Sequence, residues 1–490
     1  MTLARYSFCL GAAALLAGCA VGPNFREPDL AGVTPAAWSW APAVPRDAAP
    51  KGPWWRLFAD PALDELEAQA LNASPTLRAA VARVEEARAT ARFSRSRFFP
   101  ELTLDPAYER QQTTGNLPTP IPFPIPSARF NTFSLPLDLS YEVDVWGRVR
   151  RGFESARASA LARVADYQNV RLTLTADVAT DYFLLRALDG ELAALGKTVA
   201  AREESARLLR ARFSAGAIAE LDVVQAETEL AAAQGDVADV RRQRAEMLHA
   251  LALLCGQSAT AFTLVESPLT APVPAVPADL PANVLERRPD IAAAERTLAS
   301  RNAQIGVAQA AYFPAISLTA QGGYLSASAD RLFSANSRVW SIGPSVSLPV
   351  FTGARTAAEV RQARAAFEEA GEDYRQAVLN ALKEVEDSLA QLRHRQEQAA
   401  AADRAVESAG RQKELAQVRY RAGASTYLPV ADADRALCQQ EELQAQLRGQ
   451  RYVAAVRLIK ALGGGWGPGT PAEGNQAAAP PPTRQGEQIR

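Results

Sequence analysis

Residues 133–147, FSLPLDLSYEVDVWG, alternate. Phe133, Leu135, Leu137, Leu139, Tyr141, Val143 and Val145 are apolar, and Ser134, Pro136, Asp138, Ser140, Glu142 and Asp144 between them are polar or small. A period of two belongs to a strand whose two faces meet different surroundings. Three acids on one face predict water on that side. Strands are expected at 101–111 and 131–146, and again at 315–325 and 339–351. The later pair alternates too: Ile316, Leu318, Ala320 and Tyr324 oppose Ser317, Thr319 and Gln321, while Trp340, Ile342, Val346, Leu348 and Val350 oppose Ser341, Ser345 and Ser347.

The period changes after each strand pair. From Arg148 to Phe213 there is no proline, and an apolar stripe runs Phe153, Ala156, Ala160, Val164, Tyr167, Val170, Leu174, Val178, Tyr182, Leu185, Leu188, Leu192, Leu195, Val199. Steps of three and four averaging near 3.5 describe a coiled-coil helix. At 1.5 Å per residue it would span roughly 100 Å. Ala354 to Arg421 is its counterpart. Gly216 and Gly423 follow as helix C-caps, and the chain returns in helices from about Leu221 to Cys255 and Pro429 to Leu462.

These parts occur twice. SPTLRAAVARVEEARATARFSRSRFFPELTL (74–104) parallels RPDIAAAERTLASRNAQIGVAQAAYFPAISL (288–318), and ARFSAGAIAELDVVQAE (211–227) parallels VRYRAGASTYLPVADAD (418–434). Such self-similarity marks a duplicated unit. The first copy holds extra residues, most simply in the Pro-rich stretch 112–127. The chain therefore divides into a signal peptide (1–18), a lipidated extended arm (19–60), a first repeat (61–273), a second repeat (274–463) and a disordered tail (464–490).

The N-terminus adds a membrane. MTLARYSFCLGAAALLAGC has a basic start and an apolar run too short to span a bilayer, so it reads as a secretory signal. It ends Leu16-Ala17-Gly18-Cys19, a lipobox pattern in which Cys19 becomes the acylated N-terminus, carrying a diacylglycerol and an N-acyl chain. Ala20 follows, which points to the outer membrane. No later segment is long, apolar and uncharged, so any membrane crossing must be made of strands. Four strands cannot close a barrel, which needs about eight or more; several copies must pool them. Three copies give twelve strands, and two or four copies satisfy the same requirement.

Charge and chemistry exclude other classes. The formal net charge is −1, which offers no bulk attraction to nucleic acid. Cys255 and Cys438 remain once Cys9 leaves with the signal and Cys19 carries lipid; no CxxC or Cys/His spacing suggests a metal or redox site. Counting from the glycine turns puts these two cysteines on the order of 40 Å apart, too far for a disulfide. His249 and His394 each sit alone on a helix. No nucleophile–base grouping or nucleotide motif appears, so no catalytic activity, cofactor or metal is expected beyond the acyl chains.

GPWWRLFADPALDELEAQALNASPTL (52–77), RRPDIAAAE (287–295), the Phe-Pro strand starts and RYRAGASTYLPVADADR (419–435) resemble the TolC-like outer-membrane efflux proteins, the lipidated OprM/NodT branch in particular. The resemblance covers nearly the whole mature chain. It implies a mostly α fold with membrane β: a homotrimer whose twelve-stranded barrel continues as a periplasmic α-helical barrel. It implies the exit duct of a tripartite pump, with a periplasmic adaptor and an inner-membrane RND transporter as partners. By the same resemblance Leu428 forms an apolar constriction, Asp432 an acidic ring and Arg435 an ionic latch at the periplasmic end. Asp222 and Glu227 lie at similar depth, and Asp434 is a further candidate. Pro429 and Ala431 depart from the bulkier residues expected there. Asp432 and Arg435, three apart on one helix, could equally pair with each other. Gly216, Ala217, Gly423 and Ala424 resemble adaptor-docking turns, and as helix caps they have a purely structural use as well. Competing readings are a type I protein-secretion duct of the same fold, a periplasmic coiled-coil adaptor or scaffold, and a lipid-linked hydrolase with no residues to support it. Drugs, metals and solvents all remain possible cargo.

Overall fold

The computed structural model describes residues 20–26, 52–114, 127–274 and 288–464. The signal peptide, Cys19, most of the arm, residues 115–126 and the tail from 465 lie outside the described residues.

A 3-10 turn, Trp54–Phe58, leads into α1 (Pro61–Ala73) and α2 (Pro75–Ser96). Asp60 starts α1 by accepting the backbone N–H of Ala62 at 3.0 Å, and Pro61 needs no partner for the N–H it lacks. Then come β1 (Glu101–Leu104), β2 (Ala107–Gln112), β3 (Arg129–Val143), the long α3 (Arg148–Ser214) and the returning α4 (Glu220–Leu254). The series continues with α5 (Pro289–Ala310), β4 (Ala315–Ser326), β5 (Arg338–Ser347), α6 (Arg355–Arg421) and α7 (Leu428–Ala461). Helices α3 and α6 are each 67 residues long, about 100 Å at 1.5 Å per residue.

The strands form one antiparallel sheet with β1 and β2 beside β3, then β4, then β5. Glu101 faces Ser140 and Ala107 faces Ser134, so β1 and β2 share one register along β3. The expected single strand over 101–111 is therefore interrupted, at Asp105-Pro106. Pro106, against Leu135, has no N–H to give, and neither does Pro136 in the neighbouring pair, whose carbonyl still accepts the Asp105 N–H at 3.3 Å. On the other flank of β3, Gly323 lies against Pro136; a Cβ there would sit 2.9 Å from the Pro136 Cα and run into the Leu135 carbonyl.

Two strands stop short of expectation. Strand β3 stops at Val143, not 146, because Asp144 turns to cap α3: its carboxylate accepts the N–H of Val149 at 3.0 Å and of Arg150 at 2.9 Å. Strand β5 stops at Ser347 rather than 351, before Pro349.

The largest core lies midway along α3. Phe58, Phe183 and Tyr452 stack there with ring centroids 4.8 and 4.5 Å apart, and the Trp54 indole N–H donates to the Thr175 hydroxyl at 3.2 Å. The Tyr182 hydroxyl donates to Asp60 at 2.6 Å, joining the cap of α1 to the long helix. Around the same level the stretch after α4 is held by Asp189, fully buried, which accepts from Arg186, Arg244 and the Ser267 N–H. Cys255 and Cys438 are both free thiols in different clusters, which agrees with the absence of a bridge between them.

Candidate functional site

The two ends of the molecule are built differently. At the sheet end, register decides which side chains share a face. Thr103, Asp138, Gln321 and Ser341 stand in one row, and Glu142, Ser317 and Ser345 in another. Gln321 donates to Asp138 at 2.8 Å, and the Ser317 and Ser345 hydroxyls lie 2.7 Å apart. The alternate rows are apolar: Leu102, Leu139, Ala320 and Ile342, then Leu104, Leu137, Gly322 and Trp340. Trp340 is 79% exposed and Ile342 65%. One face of a four-strand-wide sheet is thus polar and the other an uncovered apolar band.

Of the three acids read as one water-facing set, Asp138 and Glu142 lie within β3 and Asp144 falls just beyond its end. Glu142 pairs with Arg148 at the foot of α3, with 2.7 Å from Arg148 Nε to Oε1, and Asp144 caps the helix. Both acids therefore fasten strand to helix. Residues 20–26 lie at this junction. The Val21 N–H donates to the Trp146 carbonyl at 3.0 Å, buried Arg151 reaches Asn24 Oδ1 at 2.8 Å, and Asn302 donates to the Pro23 carbonyl at 2.9 Å. Trp146 stacks on Phe313 with centroids 4.6 Å apart.

At the other end are the two hairpin turns. Gly216 and Gly423 have φ of 72° and 73°, the left-handed region that glycine tolerates. The Ala217 N–H donates to the Arg212 carbonyl and the Ala424 N–H to the Arg419 carbonyl, each at 2.9 Å, while both glycine N–H groups close shorter loops to Phe213 and Tyr420. These are paired Schellman caps. A Cβ on either glycine would meet nothing within 4 Å, so both turns present open surface.

Just inside the turns an ion network joins four helices. Arg435 on α7 donates to Asp432 at 3.1 Å and also pairs with Glu229 on α4. Arg202 on α3, itself buried, donates to Asp434 at 2.8 Å and to the Glu229 carbonyl at 2.8 Å. Lys413 on α6 completes the set, 2.6 Å from Asp434. Burial alone would raise the Asp434 carboxyl, but hydrogen bonds from Lys413 and Arg202 hold it below its usual range. Asp434 is therefore committed to this buried set. A small apolar cluster of Leu209, Val223, Tyr427 and Val430 packs beneath the network. Leu428 is 48% exposed at the start of α7. Asp222 stands in the first turn of α4, and Glu227 pairs with Arg210 at 2.6 Å.

Sequence reasoning missed Arg202, Glu229 and Lys413. One signal existed: Arg202 takes a slot of the buried stripe Leu195, Thr198, Arg202, Ala206, Leu209, where a charge must find partners. His394 lies 3.2 Å from Glu397 on its own helix. Among the described residues no helix is long and apolar enough to cross a membrane, and no cluster of potential metal ligands occurs.

An exposed apolar sheet band at one end of long helices fits an outer-membrane channel protein. The outer membrane efflux protein family matches residues 66–257 and 280–464, and the chain belongs to that family. It is similar to the solvent efflux pump outer membrane protein SrpC of Pseudomonas putida, 36% identical over 467 residues that cover 92% of this chain and 96% of that one. It is also similar to the pyoverdine export outer membrane protein OpmQ of Pseudomonas aeruginosa, 34% identical over 95% of this chain and 97% of the relative. Among solved structures, the outer-membrane channel OprN superposes with a TM-score of 0.82 at 32% identity, covering 91% of this chain and all of that one. The chain is thus an efflux channel of the outer membrane.

Proposed function

We propose that three copies of this chain form the exit duct of a tripartite RND-type pump, passing small toxic compounds from the periplasm to the exterior. The observation that carries this is the sheet: one polar face, one apolar face, and an unpaired edge at each side. Unpaired strand edges are not tolerated in lipid. Pooling four strand positions from each of three copies closes a barrel of twelve, and the two-copy organisation of each chain then supplies twelve long helical strokes below it. The polar rows line the lumen and the Leu/Trp/Ile rows face lipid. The relatives named for solvent and pyoverdine export support small-molecule cargo. Family membership leaves the adaptor, scaffold and hydrolase readings without support, and no observation favours protein secretion.

Cys19 anchors the duct by its acyl chains. The docking of residues 20–26 beside Trp146, at the foot of the sheet, supports an anchor at the bilayer boundary. The hairpin end is the periplasmic gate, with Leu428, Asp432, Arg435 and Asp222 at its mouth and Arg202, Glu229 and Lys413 as the bonds behind it. Gly216, Ala217, Gly423 and Ala424 form the open turns on which a helical adaptor tip docks, where small side chains admit a close backbone approach.

Deletion of the gene should sensitise cells to pump substrates, and the wild-type copy should restore resistance. Ala217→Trp and Ala424→Trp should restore trimer yield but little resistance. Full resistance with both substitutions would remove the turns from the docking surface, and failure of the purified protein to trimerise would overturn the duct itself.

A further inference from the structure

The two places where a short helix hands over to a strand can be compared directly. At the first, α2 ends and β1 begins through ARFSRSRFFP (91–100); at the second, α5 leads into β4 through VAQAAYFP (307–314). Both end in an aromatic-Phe-Pro or Phe-Phe-Pro corner, but only the first is charged. Arg92, Arg95 and Arg97 are all exposed there, and no ion pair to any of them occurs among the described residues. Other arginines at this level are paired: Arg148 with Glu142, Arg150 with Asp144, Arg151 with Glu154. Three like charges within six residues repel one another and gain from a counter-anion. Interleaved with them, Phe93 is 65% exposed and Phe99 64%. The Arg97 guanidinium lies 5.5 Å from the centroid of the Phe93 ring, a cation–π contact that holds the head in place and leaves its N–H groups free.

We propose that this corner binds the headgroups of anionic phospholipids in the periplasm-facing leaflet of the outer membrane. The proposal rests on the sheet spanning the bilayer. Strand β1 starts at Glu101, four residues beyond Arg97, so the corner sits at the foot of the spanning segment. At that depth Phe93 and Phe99 enter the headgroup–acyl boundary, where aromatic side chains are favoured. The arginines then face phosphate, which a planar guanidinium binds through two N–H groups at once. The second corner offers Tyr312 and Phe313 without a charge, so it contacts lipid without selecting a headgroup. In the trimer, three selective corners would alternate with three indifferent ones and fix the height of the duct in its membrane.

The test is native mass spectrometry of the full-length trimer in detergent, titrated separately with phosphatidylglycerol and phosphatidylethanolamine. Wild type should retain phosphatidylglycerol at much lower concentration. Each surface arginine near an anionic headgroup contributes about fivefold, so Arg92→Gln, Arg95→Gln and Arg97→Gln together should weaken phosphatidylglycerol about a hundredfold and leave phosphatidylethanolamine unchanged. Equal retention of the two lipids by wild type, or unchanged retention in the triple variant, overturns the proposal. If the triple variant loses its trimer, these arginines meet acids of a neighbouring copy. Single Arg95→Gln and a salt series on wild type then decide: phosphatidylglycerol retention insensitive to both overturns the lipid site. Planar-bilayer conductance of the same variants reports the spanning barrel separately, so a conducting channel without lipid preference sinks this proposal and leaves the duct standing.

Discussion

The sheet and the hairpin tips hold their helices and strands together by opposite means. The sheet is bound by main-chain hydrogen bonds in one continuous register, backed by matching rows of polar side chains. Nothing in it can open a little; a change of register turns every side chain to the wrong face. The tips are bound by side chains: a few ion pairs, one small apolar cluster, and two glycine caps open to solvent. Each such pair contributes little when exposed, and removing one partner costs more when the other is left buried and unpaired. The gate proposed at the tips rests on that difference.

The comparison breaks most visibly at Gly323. Gly323→Val should abolish the pairing of β3 with β4, and the trimer band on a semi-native gel should disappear; a normal trimer would show that the sheet end yields as readily as the tips. Next is Arg202→Ala, which leaves buried Asp434 with Lys413 alone. A cost of about 3 kcal/mol confined to the tip is expected, seen as faster hydrogen exchange at the ends of α3 and α7 with the sheet unchanged.

Midway between the ends, burial raises the Glu191 carboxyl to about 7, with a hydrogen bond from Gln446 opposing and the Glu442 charge adding to the rise. A carboxyl raised from 4.5 folds best with its proton on. Its contribution is full below about 4.5 and is lost as pH climbs through 7. Tm should therefore fall between pH 5 and pH 8, by the equivalent of at most about 3 kcal/mol, and Glu191→Gln should flatten the profile. Asp434 has the opposite sign. Its lowered pKa gives stability that is present above 3.8 and lost as pH falls through its folded value, so acid below about pH 4 should loosen the tip. The smallest effects belong to the mouth. Arg435→Ala should raise single-channel conductance more than Asp432→Ala, because Arg435 also holds Glu229, whose side chain is 17% exposed against 54% for Asp432.

The sheet's faces were legible because a two-residue period survives in a bare sequence, and the twin turns were legible as Ala-Gly-Ala before each returning helix. The break in the first strand was not, since it needs Pro106 and Pro136 to fall in adjacent pairs of one register. Asp144 reads as a third acid on the water-facing side; only the turn after Val143 shows it capping α3. At the tip, the spacing of three made the Asp432–Arg435 pair legible as one of two possibilities. Glu229 and Arg202 were not legible as partners because they lie 206 and 232 residues from Arg435 and Asp434, on helices whose relative rotation the stripe alone does not set.

In the proposed duct the tip network, and nothing in the sheet, makes the closure. Single-channel conductance of the trimer in planar bilayers tests it most directly, comparing wild type with Arg202→Ala combined with Arg435→Ala. The double variant should show a severalfold higher conductance at unchanged trimer yield. Conductance equal to wild type, with the trimer intact, would contradict it and place the constriction elsewhere along the helices.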